Sequence, residues 1–169
     1  EHFLMKLWDM GLTVGSSVRT IESALEESAK DITVQTALLE ARLIEGDLLL
    51  FARLQKEFFS QMDAAGFFRA KALELRQRHQ KHEDTPYSLE PNVKESPGGL
   101  RDLHMLFWCS HAAGMGATPE EMLAAGTISN QEADKLKEVH HALKSFRIYL
   151  HLIRSEEHTS ELQSPDLIS

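Results

Sequence analysis

The sequence predicts a mainly α-helical protein with one short β-strand near its N-terminus. From Thr20 onward, apolar residues recur at helical spacing, and capping residues precede several of these segments. Before that point, the segment LTVGSSVRT, Leu12–Thr20, alternates apolar and polar residues, which is typical of a strand. A single strand cannot bury itself, so we expect it to join a sheet that is mostly missing from this chain.

The predicted helices of the N-terminal half each have a recognisable start or end. Gly11 ends an amphipathic helix, Thr20 can cap the next one, and Asp31 can cap a helix that Gly46 ends. The predicted helices are, in order, Phe3–Met10, Ile21–Ala29, Asp31 to Gly46, Asp47–Gln61 and Phe67–Glu83. The residues of the fourth helix that we expect to point inward are Leu48, Phe51, Leu54, Phe58 and Phe59.

Three further helices are predicted after a proline-rich loop. A proline opens the first turn of the short middle helix, and a serine and a glutamate three positions apart form a capping box for the last one. The loop prolines are Pro86, Pro91 and Pro97. The helices are Leu100–Ala113, Pro119–Ala125 after Thr118, and a long helix from the capping box Ser129–Glu132 to about Ile153.

Composition indicates an acidic globular protein of a reducing compartment. The 169 residues carry a formal net charge of −8, which argues against general nucleic-acid binding. No stretch approaches the roughly 18 consecutive apolar residues of a transmembrane helix. The one cysteine, Cys109, excludes an intrachain disulfide, and its apolar surroundings predict a buried core thiol. We therefore expect a cytoplasmic location without membrane attachment.

Both ends of the sequence suggest that the protein is truncated. The first residues, EHFLMKLWDM, lack an initiator Met and begin in the middle of a helical pattern, without the features of a signal peptide. At the other end, RSEEHTSELQS, Arg154–Ser164, resembles the in-frame translation of a sequencing adapter. We expect Arg154–Ser169 to be an artefactual, poorly ordered tail without function.

The segment LEPNVKESPGGLRD, Leu89–Asp102, gives the strongest indication of chemistry. Its prolines keep it extended, and Gly98 and Gly99 then open a helix whose free N–H groups favour an anion. Lys94 and Arg101 flank the glycines, and Arg101 could hold a phosphate with two hydrogen bonds. The carboxylates that could orient these cations or reach a metal are Glu90, Glu95 and Asp102. The residues alone support a phosphate site and a plain Pro-Gly connector about equally.

Three segments of the chain resemble one family. LEPNVKESPGGLRDLH, from Leu89 onward, is similar to the pattern LEPD-[VI]-K-x-x-PGGLRD-[IL] of the bacterial protein-PII uridylyltransferases, with Asn92 where Asp is usual. LWDMGLTVGSSVRTIES, Leu7–Ser23, and DITVQTALLEARLIEGD, Asp31–Asp47, also resemble this family, with Ser16 in place of a usual His. The resemblance covers about residues 1–153.

The resemblance implies an enzyme of nitrogen regulation that transfers UMP from UTP to a tyrosine of the signalling protein PII. It implies that residues 1–60 are the last strand and helices of a polymerase-β-type nucleotidyltransferase domain, and that residues 61–153 form a helical domain. Such enzymes use Mg²⁺ held by an Asp-x-Asp pair. No two Asp residues stand two apart in this chain, so we expect no metal site here and no transferase activity from this chain alone.

The resemblance also suggests roles for individual residues. We hypothesise that Lys94 and Arg101 neutralise the UTP phosphates, that the N–H groups of Gly98 and Gly99 receive an oxygen, and that Asp102 orients Arg101. The weaker candidates are Glu90 and Arg42, the second of which lies on a predicted apolar helix and either reaches the surface or faces the nucleotide.

Other interpretations stay open at this point. A related nucleotidyltransferase, such as a glutamine synthetase adenylyltransferase, would share the same domain, and a non-catalytic helical interaction module would need no nucleotide. The basic stretch Arg69–His82 could line a groove for triphosphate or for an acidic PII surface. We expect it instead to be a solvated helix face.

Overall fold

The computed structural model describes residues 2–81 and 92–162, with side chains for 3–81 and 92–153. Throughout those residues every regular element is an α-helix, which confirms the mainly α prediction. The helices are α1 His2–Asp9, α2 Ile21–Lys30, α3 Ile32–Leu39, α4 Leu48–Ser60, α5 Ala64–Lys81, α6 Leu100–Ala112, α7 Pro119–Ala124 and α8 Asn130–Leu162.

The chain forms two compact units, Glu1–Gln61 and Met62–Ser169. The first unit is held by α2, which packs against α3 and α4. Its buried apolar side chains are Ile21, Ala24, Leu25, Leu39 and Phe58. The division into a nucleotidyltransferase part, residues 1–60, and a helical domain, residues 61–153, stays a prediction. The origin of the first unit in a polymerase-β-type domain stays a prediction.

In the second unit α5 packs against α6, and α8 packs against both α6 and α7. The largest fully buried side chain is Phe67, and burying a side chain of this size contributes about 1.5–3 kcal/mol. The other buried apolar residues are Leu100, Trp108, Ala112, Met122 and Ala133. This core fixes α5 against α6, which positions the charged residues described below.

Side-chain caps begin several helices, as their sequences predict. Thr20 Oγ1 accepts a hydrogen bond from the Ser23 N–H at 3.2 Å, and Asp31 Oδ1 accepts one from Thr33 at 2.6 Å. At the start of α8, Ser129 Oγ accepts from the Glu132 N–H at 3.3 Å while Glu132 Oε2 accepts from the Ser129 N–H at 2.8 Å. This reciprocal pair is the predicted capping box.

The strand predicted over Leu12–Thr20 is wrong, because this segment has no regular structure. No other strand exists among residues 2–81 and 92–162 to supply ladder hydrogen bonds. Its apolar side chains therefore find no sheet to pack on, and Val18 is fully exposed. One tie to α1 is the Trp8 indole N–H, which donates to the Val14 carbonyl at 3.3 Å.

Some helix ends and faces also differ from the prediction. α3 ends at Leu39 rather than near Gly46. Just after Leu39, the Ala41 N–H donates to the Leu38 carbonyl three residues earlier, which closes a tighter last turn. In α4 Phe58 is the one buried residue, while Leu48 is 67% exposed. α8 continues to Leu162, past its predicted end. Residues 163–169 of the expected tail lie outside the described residues.

No helix in the described part of the chain combines the length and the apolar character that crossing a bilayer requires.

Candidate functional site

The loop before α6 is built around Asn92. Asn92 Oδ1 accepts hydrogen bonds from the N–H groups of Lys94 at 3.1 Å and Glu95 at 3.0 Å. The Asn92 carbonyl accepts from the Ser96 N–H at 3.0 Å, and the Ser96 hydroxyl, which is buried, accepts from the Asn92 N–H at 3.3 Å. An Asp carboxylate could accept the same two bonds, so the amide at position 92 preserves the turn.

Gly99 is the point of closest backbone approach in this loop. A Cβ at Gly99 would lie 2.8 Å from the Ser96 and Val93 carbonyl oxygens and 3.1 Å from that of Lys94. Gly98 has a different reason to be glycine, since its φ of +76° lies in the left-handed region. The two glycines therefore fold the loop tightly onto the first turn of α6.

The N–H groups at this helix start are already paired within the chain, which corrects the hypothesis that they receive a substrate oxygen. The Gly98 N–H donates to Asp102 Oδ2 at 2.8 Å, and the Gly99 N–H donates to the Ser96 carbonyl at 2.8 Å. The next N–H, that of Leu100, donates to Val93 at 2.9 Å. Gly98 and Gly99 thus shape the loop rather than present donors to a ligand.

Asp102 joins the loop to α5. Besides the Gly98 N–H, its carboxylate accepts from Arg78 Nη2 at 2.5 Å and lies 3.0 Å from His79 Nε2. The Arg78 side chain is only 11% exposed, and its Nε is buried without a hydrogen-bond partner among the described residues. The predicted pairing of Asp102 with Arg101 is therefore wrong, because Asp102 pairs with Arg78 and His79 while Arg101 pairs with Glu95.

Arg101 and Lys94 instead share the carboxylate of Glu95. Arg101 Nη2 lies 3.3 Å and Lys94 Nζ 3.2 Å from Glu95 Oε1. Burial raises the pKa of Glu95, but the hydrogen bonds and charges of these two cations outweigh it and hold the pKa below its usual value. Two cations thus converge on one oxygen atom at the partly exposed edge of the loop.

The Trp108 ring supports two cations of this cluster. Arg101 Cζ lies 5.6 Å and Lys71 Nζ 4.9 Å from the centre of the indole ring, within the range of cation–π contacts. Lys71 is 5% exposed and is neutralised by Glu74 at 2.8 Å. The buried indole thereby restricts where the Arg101 guanidinium can point.

The basic stretch of α5 is only partly the solvated face that we expected. Arg69, Arg76 and Lys81 are exposed, whereas Lys71, Arg78 and His79 enter the site. The sequence contains the signal, because Lys71 and Arg78 lie at helical spacing from the buried Phe67 and so share its face.

The sequence also predicted two weaker candidates, Glu90 and Arg42. Glu90 lies outside the described residues. Arg42 belongs to the other unit, where it is exposed in the loop after α3 rather than on an apolar helix.

The carboxylates near the loop do not fit a magnesium site. Glu95 and Asp102 are each committed to cations, and the parts of the chain that the structure describes contain no group of three or more His, Cys, Asp or Glu residues placed to hold a metal ion. Mg²⁺ binds through several oxygen ligands in near-octahedral geometry. We therefore assign no metal chemistry to these residues.

Comparison with known proteins identifies the family. The sequence profile described as GlnD PII-uridylyltransferase matches residues 66–166, which include most of α5, the loop and α6. The chain belongs to the PII-uridylyltransferase family. Proteins named bifunctional uridylyltransferase/uridylyl-removing enzyme are 52% identical over 153 residues in Burkholderia thailandensis and Burkholderia mallei, and 50% identical in Cupriavidus pinatubonensis.

Each of these matches covers 90% of this chain but only 18% of the relative, so the chain corresponds to a small part of such enzymes. No solved structure matches the chain. The site described above lies in the part of the chain that the family profile matches.

Proposed function

We propose that the loop 92–99 and the first turn of α6 form part of the UTP-binding region of an enzyme that transfers UMP to PII. The family membership supports the reaction type, and the relatives' names favour uridylyl over adenylyl transfer. The observation that carries the proposal is the convergence of Lys94 and Arg101 on Glu95. The single cysteine supports a cytoplasmic location for the enzyme.

A phosphate oxygen can take the place of the Glu95 carboxylate oxygen between the two cations. Both side chains are partly exposed, at 40% for Lys94 and 28% for Arg101, so a ligand can reach them from solvent. Arg101 offers a planar fork of donors that matches phosphate geometry, and Lys94 adds a mobile charge. In this arrangement Glu95 keeps the two cations paired until a triphosphate replaces it.

The other residues of the site act as positioning groups in this proposal. Asp102 ties Gly98 to Arg78 and His79, which fixes the loop on α5. Gly99 permits the close packing of the loop on α6, and the Trp108 ring holds the Arg101 guanidinium through a cation–π contact. None of these groups has to move when a phosphate binds.

The catalytic metal is proposed to lie elsewhere in the parent enzyme. A polymerase-β-type domain holds Mg²⁺ with an Asp-x-Asp pair, and this chain has none. We therefore expect no UMP transfer when the purified chain is mixed with PII, UTP and Mg²⁺. Transfer of labelled UMP to PII by this polypeptide alone would contradict that expectation.

The UTP role is tested in the parent enzyme that contains this segment. Arg101→Ala and Lys94→Ala should each weaken UTP binding about tenfold or more, because each removes a charge-assisted hydrogen bond. Glu95→Gln should strengthen it, since the competing carboxylate is lost. Arg76→Ala is the matched control, because Arg76 is an exposed arginine on α5 outside the site. An unchanged UTP affinity in Arg101→Ala would refute the proposal.

A second candidate function is a helical interaction module. Its support is one face in the second half of α8, where Phe146, Tyr149 and Ile153 lie at helical spacing and are each more than half exposed. Large apolar side chains clustered on a surface are typical of protein contacts. The module predicts that the chain retains PII in a pull-down without nucleotide. Loss of retention in Phe146→Ser, with retention kept in Arg101→Ala, would favour the module over the nucleotide site.

A further inference from the structure

A cavity of about 430 Å³ lies in the second unit, where α8 packs against α6 and α7. Four residues of α8 line it at the spacing i, i+3, i+4 and i+7, which places side chains on one face of a helix. These residues are Lys137, His140, His141 and Lys144. The rest of the wall comes from Phe107 of α6 and from residues 117–120 at the start of α7. The function proposed above uses none of these residues.

The lysine charges at this cavity are only partly neutralised. Glu120 is the one carboxylate among the lining residues, and its Oε1 lies 3.0 Å from Lys137 Nζ. Lys144 is exposed and has no ion pair within the part of the chain that the structure describes. One positive charge at the wall is therefore available to a ligand.

His140 shows that the charge of Lys144 acts at the cavity wall. Burial lowers the pKa of the His140 imidazole, and the positive charge of Lys144 lowers it further. The His140 Nε2 atom is buried without a hydrogen-bond partner among the described residues, so a proton added there would have no acceptor. The ring packs edge to face on Phe107, with the ring centres 5.6 Å apart. His140 is thus a neutral aromatic part of the wall beside a positive charge.

The size and chemistry of the wall indicate one class of ligand. A single available ammonium group matches one negative charge, and a carboxylate accepts a charge-assisted hydrogen bond from it. Phe107, Pro119 and the His140 ring offer aromatic and apolar surface on which a ring-shaped body can pack. Small-molecule pockets measure about 300–1,000 Å³, and this cavity lies within that range.

We propose that this cavity binds a small carboxylate with an apolar, ring-sized body. The carboxylate pairs with Lys144, and the body packs on Phe107 and the His140 ring. The proposal goes beyond the role in UTP binding, because Lys94 and Arg101 lie outside this wall.

The test compares 2-naphthoate with 2-naphthamide, which share a planar two-ring body and differ in the charge of the head group. Binding is followed by NMR on the 169-residue chain with ¹³C-labelled histidine, through the ring signals of His140. These signals are assigned by their loss in His140→Gln. We expect 2-naphthoate to shift them saturably. The amide should need about three- to tenfold higher concentration for half of its maximal shift, because it lacks the charge that pairs with Lys144.

Variants of the same chain locate the charge that binds the probe. Lys144→Met removes the ammonium group and keeps the length of the side chain, so the two probes should then bind equally. Lys135→Met makes the same change at an exposed lysine of α8 outside the cavity wall and should leave the preference for 2-naphthoate unchanged. Glu120→Gln releases Lys137 and should tighten binding of 2-naphthoate about two- to fivefold, with no change for the amide.

Absence of a saturable His140 shift with 2-naphthoate would overturn the proposal, and so would equal affinities of the two probes for the unmodified chain. A preference for 2-naphthoate that survives in Lys144→Met would also overturn it, because the carboxylate would then pair elsewhere. The UTP affinity of the parent enzyme with Arg101→Ala is measured separately, so failure of this proposal is distinguishable from failure of the UTP role.

Discussion

Replacing Gly99 with alanine should destabilise the second unit more than the same change at Gly98. The new Cβ at position 99 would lie 2.8 Å from two carbonyl oxygens and 3.1 Å from a third, and all three belong to the backbone. Forcing an atom into such a space costs about 1–3 kcal/mol, and three simultaneous contacts place Gly99→Ala near the upper end. The gain from a less flexible unfolded chain offsets about 0.4–1 kcal/mol, which leaves a net loss of about 2 kcal/mol.

Gly98→Ala is the matched comparison. Its φ is +76°, and a Cβ there would meet no atom within 4 Å. The cost is then only that of placing an alanine in the left-handed backbone conformation, about 1–2 kcal/mol. The less flexible unfolded chain offsets about 0.4–1 kcal/mol of this cost, as at Gly99. We therefore expect a net loss of about 0–1.6 kcal/mol at Gly98, below that at Gly99. Gly126, with a φ of +72° and open space around it, supplies a second control outside the loop.

The assay is urea unfolding followed by the fluorescence of Trp108, with Trp8 replaced by Phe so that one indole reports. Gly99→Ala should unfold at a lower urea concentration than Gly98→Ala, with similar slopes. If Gly99→Ala is as stable as Gly98→Ala or more stable, the close approach of the loop carbonyls to position 99 is refuted. The functional consequence then also fails, because Lys94 and Arg101 would not depend on this packing.

Three other predictions concern the carboxylates Asp102 and Glu95 and the capping box of α8. Asp102→Asn should cost about 2 kcal/mol in unfolding free energy, because Arg78 keeps a buried charge without its counter-ion; Asp134→Asn, at an exposed position of α8, should cost almost nothing. Because the folded-state pKa of Glu95 is lowered, its contribution to stability is complete above its usual range near 4.5 and is lost as pH falls through the folded value. Glu95→Gln should therefore flatten the acid side of a stability–pH curve, and an unchanged curve would argue against the pairing with Lys94 and Arg101. Ser129→Ala should cost about 1 kcal/mol by removing half of the capping box of α8, which thermal or urea unfolding can measure.

The ion pairs of Lys94, Arg101 and Arg78 have a consequence for ligand binding. Lys94 and Arg101 are held by Glu95, while Arg78 and His79 are held by Asp102. A phosphate that binds Lys94 and Arg101 displaces one carboxylate, whereas one that binds Arg78 would disrupt the fold of the loop. The exposed Glu95 pair is therefore the better ligand site, and the Asp102 pair is the better structural anchor.

Local signals explain the parts of the fold that the sequence predicted correctly. Caps at Thr20, Asp31 and Ser129 act through hydrogen bonds within one turn, so their residue types alone specify them. The strand over Leu12–Thr20 was wrong because a strand depends on partners outside its own segment, and none lies in the described residues.

For the candidate site, the sequence by itself determined the loop, its glycines and the two cations Lys94 and Arg101, because proline, glycine and charge have local effects on the backbone. Only the tertiary structure decided which carboxylate each cation meets. Asp102 and Arg78 are far apart in sequence and meet only because α5 packs against α6. The same packing buries Lys71 beside Trp108 and occupies the N–H groups that sequence alone suggested for a ligand. Such contacts depend on the register between two helices, which no local pattern encodes.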